Sequence, residues 1–448
     1  MSPRPFRRST VRPRRLRPRR QRVGDQFNAY AAVTVFTGSN RTQFIDECFR
    51  SLVEQTFTDW EWVVVLNQGS RWRPESHDDR IRLVVQDNLK GVGAVKRYAC
   101  AEATGDILVE LDDDDLLSSD CLQEIVDAFD SNPEVGFVYS DTAQIQEDGS
   151  RCEDRFASSF GWRHYDEKVD GREVVACQAM PPTPHNVSYI WYAPNHVRAF
   201  RRDIYEKVGG YDESLDVADD ADLMARFYQV SEFHHIQKCL YLQRMHAKNT
   251  QRIPDFNARI QQRTVEIYDR NIQQNVLAWS RRRGLLALDL GAAHNKPEGY
   301  LGLDYHDGSG VDMVCDITKG VDLPDNSVGV IRAVDFLEHI PDKIALFNEL
   351  YRLLAPNGML LSLTPSTDGR GAYQDPTHVA FYNENSFWYF TDANYSRFVP
   401  EIKCRFQVSR LVTYFPSEWH QTHNIPYVSA NLIAIKDDTQ RNGGQLKI

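Results

Sequence analysis

No run of 18 apolar residues occurs anywhere in the 448-residue chain, so hydropathy offers no membrane-spanning helix. The N-terminal stretch also lacks the apolar segment of a secretory signal. The eight cysteines (Cys48, Cys100, Cys121, Cys152, Cys177, Cys239, Cys315, Cys404) include no Cys-x-x-Cys pair. That spacing gives no grounds for a zinc site or a disulfide framework, and it fits reduced thiols in a cytoplasmic protein. Acidic residues are missing altogether from residues 1–22, which instead carry ten arginines among prolines. Such a stretch cannot bury a core, and residues 1–27 read as a disordered tail. Its charge suits contact with nucleic acid or an anionic membrane, which would make the protein peripheral there, and it suits a targeting arm equally well. Removing those ten positive charges takes the formal net charge from −11 to −21, so the remaining body is strongly acidic.

The length allows two or three domains, and a hydrophobic content of 42% is that of ordinary globular chains. The most informative stretch is Gly105-Asp-Ile-Leu-Val-Glu-Leu-Asp112-Asp113-Asp114-Asp115. An apolar strand ends in four consecutive carboxylates, whose mutual repulsion calls for a cation. Hard oxygen ligands at a strand end suit Mn²⁺ or Mg²⁺. The competing reading is a solvated acidic turn before a helix capped by Ser118, Ser119 or Asp120. Position favours the first, because open α/β sheets bind ligands at the carboxyl ends of strands.

Around that run, strands at 31–38, 62–66, 81–85 and 107–111 alternate with helical patterns at 44–53 and 95–103. This predicts an α/β domain over 28–255 with a mostly parallel sheet. Val33-Thr-Val-Phe-Thr, Trp60-Glu-Trp-Val-Val-Val, Leu111-Asp-Asp-Asp-Asp-Leu, Val208-Gly-Gly-Tyr-Asp212, Ala218-Asp219-Asp220 and Arg244-Met-His246 together resemble an inverting family 2 glycosyltransferase of GT-A type. The resemblance implies a nucleotide-sugar donor and a glycan or lipid-linked glycan acceptor. It implies Asp114 and His246 as metal ligands, Asp112 near the ribose or the metal, and Asp113, Thr37 and Lys96 (with Arg97) around the nucleotide-sugar. Asp220 takes the place of the general base, where partial burial and a neighbouring carboxylate would raise its pKa. The acidic first turn of a helix is the alternative for Asp219, Asp220 and Asp222, and both readings hold together. Two departures stand out. Asn67 occupies the place where relatives carry an Asp that reads uracil, which leaves the nucleotide open. No Gln-x-x-Arg-Trp follows the base motif, so single-sugar, non-processive transfer is expected.

Residues 256–283 contain no Gly or Pro and carry apolar residues loosely on one side, closing on Arg281-Arg-Arg-Gly284. This predicts a helical linker over 256–284. A second α/β pattern fills 285–448, with strands at 285–291, 299–304, 311–317, 328–331 and 359–364, a helix at 343–354 and a closing antiparallel pair at 406–414 and 428–435. Leu288-Asp-Leu-Gly291, Leu303-Asp304, Leu337-Glu-His339, Ala355-Pro-Asn-Gly358 and Asp375-Pro-Thr-His378 resemble the Rossmann-like class I S-adenosylmethionine-dependent methyltransferases. The resemblance places Gly291, Asp304, Asp316 and Ile317 around S-adenosylmethionine, and makes His378 and His339 (with Asp375) candidates for taking a proton from a sugar hydroxyl. Gly291-Ala-Ala-His-Asn-Lys-Pro lacks the further glycines of that family, and its connection is too short for a crossover helix.

The combined expectation is a bifunctional enzyme of cell-surface polysaccharide or glycan synthesis that adds a sugar and methylates a hydroxyl. Two alternatives follow from the departures. One is a glycosyltransferase with a degenerate methyltransferase-like domain, and the other is a nucleotide- or nucleic-acid-binding protein with decayed sites.

Overall fold

The computed structural model describes residues 33–249 and 252–447, so the arginine-rich tail and the expectations attached to it lie outside the described residues. The first body opens with β1 (Val33–Ser39), α1 (Ile45–Val53), β2 (Trp60–Leu66), β3 (Ile81–Val85), α2 (Val92–Glu102) and β4 (Ile107–Glu110). The apolar runs of β1, β2 and β4 are buried while the edge strand β3 is only partly covered, and the four strands pair in parallel in the order β3-β2-β1-β4. The loops after β1, β2 and β4 therefore open on one edge of the sheet, which gathers Ser39, Asn67 and the aspartate run.

The rest of this sheet is mixed. It adds β5 (Leu116–Leu117), α3 (Cys121–Ser131), β6 (Val135–Gln146), β7 (Arg163–Val169), β8 (Arg172–Gln178), α4 (Pro184–Ser188), β9 (Arg198–Arg201), α5 (Arg202–Lys207), α6 (Asp219–Tyr228) and β10 (Glu232–Met245). Strand β9 runs antiparallel to both β4 and β6, β10 is parallel to β6, and the β7–β8 hairpin hangs on β6. A mostly parallel sheet is thus found only in the β1–β4 half. An apolar run marks a strand but carries no direction, and antiparallel neighbours need no crossover helix.

Helix α7 (Pro254–Arg282) places Pro in its first turn, where the missing N–H costs nothing. Ile267, Tyr268, Asn271, Ile272, Asn275, Val276 and Trp279 recur at helical spacing and are all buried. The helix packs on α4 and α6 on one side and on strands of the second sheet on the other. Its Tyr268, Ile272, Val276 and Leu277 join Phe200 and Phe227 to Val330, Met359 and Ile433 in one apolar core.

The second body contains β11 (Leu286–Leu290), β12 (Leu301–Asp304), β13 (Met313–Val314), β14 (Val328–Val334), α8 (Lys343–Leu353), β15 (Leu354–Pro365), β16 (Phe406–Tyr414) and β17 (Tyr427–Ala434). The order is β13-β12-β11-β14-β15-β17-β16, parallel as far as β15 and antiparallel for the last pair. The strand expected over 311–317 shrinks to Met313–Val314. The Asp316 side chain accepts from the Thr318 N–H at 3.1 Å and turns the chain into a 3₁₀ segment instead.

The C-terminal stretch leaves the second body and returns to the first. Arg441 donates to the carbonyl of Ala179, Asn442 Oδ1 accepts from Thr183 Oγ1 at 2.9 Å, and the Gly443 carbonyl meets His185 Nε2 at 2.8 Å. All eight cysteines are free thiols, and among the described residues no helix is long and apolar enough to cross a membrane.

Candidate functional site

A cleft of about 890 Å³ lies at the carboxyl edge of β1, β2 and β4, with the four aspartates on its floor and Asp219 and Asp220 across from them. The four carboxylates have different settings. Asp115 is an anchor, buried and accepting from the Tyr241 hydroxyl at 2.8 Å and the Arg244 N–H at 2.7 Å. Asp114 Oδ2 meets His246 Nε2 at 2.8 Å and Arg41 at 3.3 Å. Asp113 lies 3.7 Å from Arg41 and keeps one buried oxygen, Oδ2, with no hydrogen-bond partner. Asp112 is half-buried and 3.9 Å from His196 Nε2.

Loss of water, reinforced by repulsion among these acids, pushes Asp112 up to about 7 and Asp113 to about 6. Burial drives His196 well below its usual value, so its ring is neutral. An unpartnered buried carboxylate oxygen among four acids fits a divalent ion. Asp112, Asp113, Asp114 and His246 are the residues that would hold it. Asp112, Asp115 and His196 also offer ligand atoms within 4.8 Å of one another.

The opposite wall is a buried ion network. Glu110 meets Lys96 at 2.6 Å, Arg198 at 3.4 Å and the Tyr211 hydroxyl at 2.9 Å. Lys96 also meets Asp219 at 3.0 Å, and Arg198 meets Asp220 at 2.8 Å. Burial works against the Glu110 charge, but Lys96 and Arg198 hold it well below the carboxylate range. Burial likewise opposes the Lys96 charge, yet Asp219 and Glu110 keep it protonated. Asp219 is pushed up to about 6 by burial, with Asp220 adding repulsion.

Several expectations are corrected here. Thr37 does not line the cleft. It is buried, its hydroxyl donating to the Leu111 carbonyl at 2.7 Å and accepting from Trp62 Nε1 at 2.8 Å. Asn67 reaches the cleft, but its amide donates to the Leu89 carbonyl and accepts from the Gln68 N–H, so its side chain is engaged within the protein. The Lys96 ammonium lines the cleft bound to two carboxylates, and Arg97 caps the carbonyls of Gly209 and Tyr211 at 2.6 Å each. The burial and carboxylate neighbours expected of Asp220 are found most fully at Asp219, while Asp220 faces a guanidinium. Helix α6 does begin at Asp219, so the acidic first turn is present as well.

In the second body Gly291 has φ +72, and a Cβ there would stand 2.9 Å from Phe336. Asp304 accepts from the N–H groups of Ala293 and His306, each at 3.0 Å, and so ties the loop after β11 to the loop after β12. Gly308 and Gly310 pack against the backbone of that same loop. Asp316 holds its own turn and meets Lys319 at 3.2 Å. Ile317 is a core residue with Leu346 and Leu350 and presents no free face. At the end of β14 the chain brings together Glu338, His339 and His378, whose ligand atoms lie within 4.8 Å of one another.

Sequence reasoning missed Arg41, Glu110, His196 and Arg198. Only Glu110, the last residue of a strand leading to the aspartates, carried a signal that patterning can read, as a charge inside an apolar run.

Comparison with known proteins agrees with this division. Residues 37–180 match the family model of glycosyl transferase family 2, and residues 287–362 match that of a methyltransferase domain. The chain therefore carries a family 2 glycosyltransferase domain followed by a methyltransferase domain. Among relatives, the chondroitin synthase of Escherichia coli is 26% identical over 219 residues, covering 47% of this chain and 28% of its own. The glucosyl-dolichyl phosphate glucuronosyltransferase of Haloferax volcanii is 24% identical over 205 residues, covering 43% and 59%. The chain thus spans under a third of the chondroitin synthase. Among solved structures, S. aureus TarS 1–349 in complex with UDP-GlcNAc aligns over 56% of this chain and 72% of its own, with 15% identity and a TM-score of 0.39.

Proposed function

We propose that the first body transfers one sugar from a nucleotide-sugar to a glycan or lipid-linked glycan acceptor, with inversion and with a divalent metal ion. The observation that carries this reading is the Asp114–His246 pair beside the unpartnered Asp113 oxygen, facing Asp220 across one cleft. A bound Mn²⁺ or Mg²⁺ would offset the charge that develops on the departing diphosphate. The acceptor oxygen forms its bond to the anomeric carbon as the bond to the diphosphate breaks, and Asp220 takes the hydroxyl proton. Arg198 holds the Asp220 carboxylate in place for that step. Relatives named chondroitin synthase and hyaluronan synthase support a role in polysaccharide assembly.

The second body, in this reading, transfers a methyl group from S-adenosylmethionine to a hydroxyl of the same glycan, with His339 and His378 at the acceptor. Fusion would raise the effective concentration of the first product at the second site. A second reading is favoured by the closed loop after β11, held by Asp304 and packed by Gly308 and Gly310. It keeps sugar transfer and makes the second body a scaffold without methyl transfer.

The test is donor turnover by the full chain against a panel of nucleotide-sugars with Mn²⁺. Release of nucleoside diphosphate that Asp114→Asn and Asp220→Asn both abolish supports the reading, and wild-type turnover in either variant refutes the site. Calorimetry with S-adenosylmethionine decides the second body, since a scaffold gives no binding heat.

A further inference from the structure

We propose that Glu338, His339 and His378 form a second divalent-cation site at the carboxyl end of β14, taking a transition ion such as Zn²⁺ or Mn²⁺ through two imidazoles and one carboxylate. Each of the three has one polar atom tied down and one left over. Glu338 accepts from Thr364 Oγ1 at 2.6 Å through Oε2, while its Oε1 is buried with no hydrogen-bond partner. The residue itself is 2% exposed. That orphan oxygen lies 3.9 Å from His378 Nε2, and among the described residues no lysine or arginine pairs with it.

The histidines follow the same logic. His378 Nδ1 meets the Ala372 carbonyl at 3.0 Å, and His339 Nδ1 meets the Thr377 carbonyl at 3.2 Å. A carbonyl only accepts, so Nδ1 is the donor in each ring, and in the neutral tautomer this leaves the Nε2 lone pair for a ligand. An imidazole that donates its other N–H to a carbonyl is the usual setting of a metal-bound histidine. The two rings stand 5.1 Å apart, steeply inclined. Asp375 completes the support by accepting from both the N–H and the hydroxyl of Thr377, at 2.8 and 2.6 Å. The Asp375-Pro-Thr-His378 stretch thus acts as one preorganised unit.

One nitrogen of each ring and one Glu338 oxygen lie within 4.8 Å of one another. Ligands of one ion at about 2.0–2.2 Å stand roughly 3–4 Å apart, so the cluster closes by about 1 Å on loading. The half-buried His339 ring, at the last position of the 3₁₀ turn Leu337–His339, can supply that movement. Two nitrogens and one oxygen select Zn²⁺, Mn²⁺, Fe²⁺ or Co²⁺ over Mg²⁺ and Ca²⁺. Three protein ligands leave positions open, as in catalytic sites. An acceptor hydroxyl in an open position ionises more readily. Its oxygen takes the methyl carbon as the sulfonium C–S bond breaks, and its proton passes to water. That use rests on the methyl-transfer reading above, whereas binding of the ion does not.

The experiment is a Co²⁺ titration of the untagged full chain after chelator treatment, read by visible absorption and calorimetry. The Asp114→Asn/His246→Gln background removes ligands of the first cleft and is expected to retain about one equivalent with visible ligand-field bands. Adding His339→Gln or Glu338→Gln is expected to weaken that binding at least tenfold. His339 is half-buried and its change leaves the fold intact, so His339→Gln decides the matter if Glu338→Gln unfolds. No Co²⁺ bound in the background, or affinity unchanged by His339→Gln, overturns the site. Loss of methyl transfer alone leaves the binding result standing, and so separates the two proposals.

Discussion

The guanidinium of Arg198 stands 2.8 Å from the Asp220 carboxylate and 3.4 Å from Glu110, on a strand antiparallel to the one that delivers the aspartate run. One arginine therefore fixes the position of the proposed base relative to the strand that carries the aspartate floor. Asp220→Asn is expected to lower kcat for sugar transfer by at least about 100-fold, because an amide cannot accept the proton. Donor KM should change little, and steady-state kinetics with the best donor separates the two.

Metal affinity should rise with pH. Asp112 and Asp113, raised to about 7 and about 6 chiefly by burial, hold protons in the folded chain that the unfolded chain has released. Their contribution to stability is fully present below about pH 4 and is lost as pH climbs through about 6 to 7. A metal ion competes with those protons and relieves that loss. The Mn²⁺-induced rise in Tm should therefore be larger at pH 7.5 than at pH 5.5, and thermal melts at matched ionic strength read it directly.

Thr37 is assigned a structural role, and its removal tests that correction. Thr37→Val strands the Trp62 N–H and frees the Leu111 carbonyl. The cost should be about 1–3 kcal/mol of stability. Chemical denaturation should show this loss while donor KM stays near the wild-type value.

Helix α7 makes the two bodies one core, so a cavity within it should be felt by both. Leu277 is 2% exposed and lies in the cluster shared by Phe227 and Val330. Leu277→Ala should cost about 2–5 kcal/mol. Calorimetric unfolding should show the transitions of both bodies moving down together.

Much of this was legible in the residues. Strand–helix alternation located β1 to β4 and β11 to β15, and the four aspartates announced the floor of the cleft. The Asp114–His246 contact spans 132 positions, and the family resemblance named both residues as metal ligands without foreseeing their direct hydrogen bond. What patterning could not supply was pairing that depends on tertiary placement. Thr37 sits at the end of an apolar strand, where inward and cleft-facing positions look alike in sequence. Arg198 meets Glu110 only because β9 inserts beside β4, and nothing local marks that insertion, while Lys96 reaches Glu110 from α2. The hydrogen bonds that occupy Asn67 and Asp304 are made with backbone groups, which the identity of neighbouring residues does not reveal.

The central claim is that the aspartate floor grips a divalent ion beside a nucleotide-sugar. Anomalous diffraction from crystals soaked with Mn²⁺ and a sugar nucleotide tests it most directly. The account predicts a peak within coordination distance of Asp114 and His246, with the diphosphate against it. A nucleotide bound elsewhere, with no peak beside residues 112–115, would contradict it.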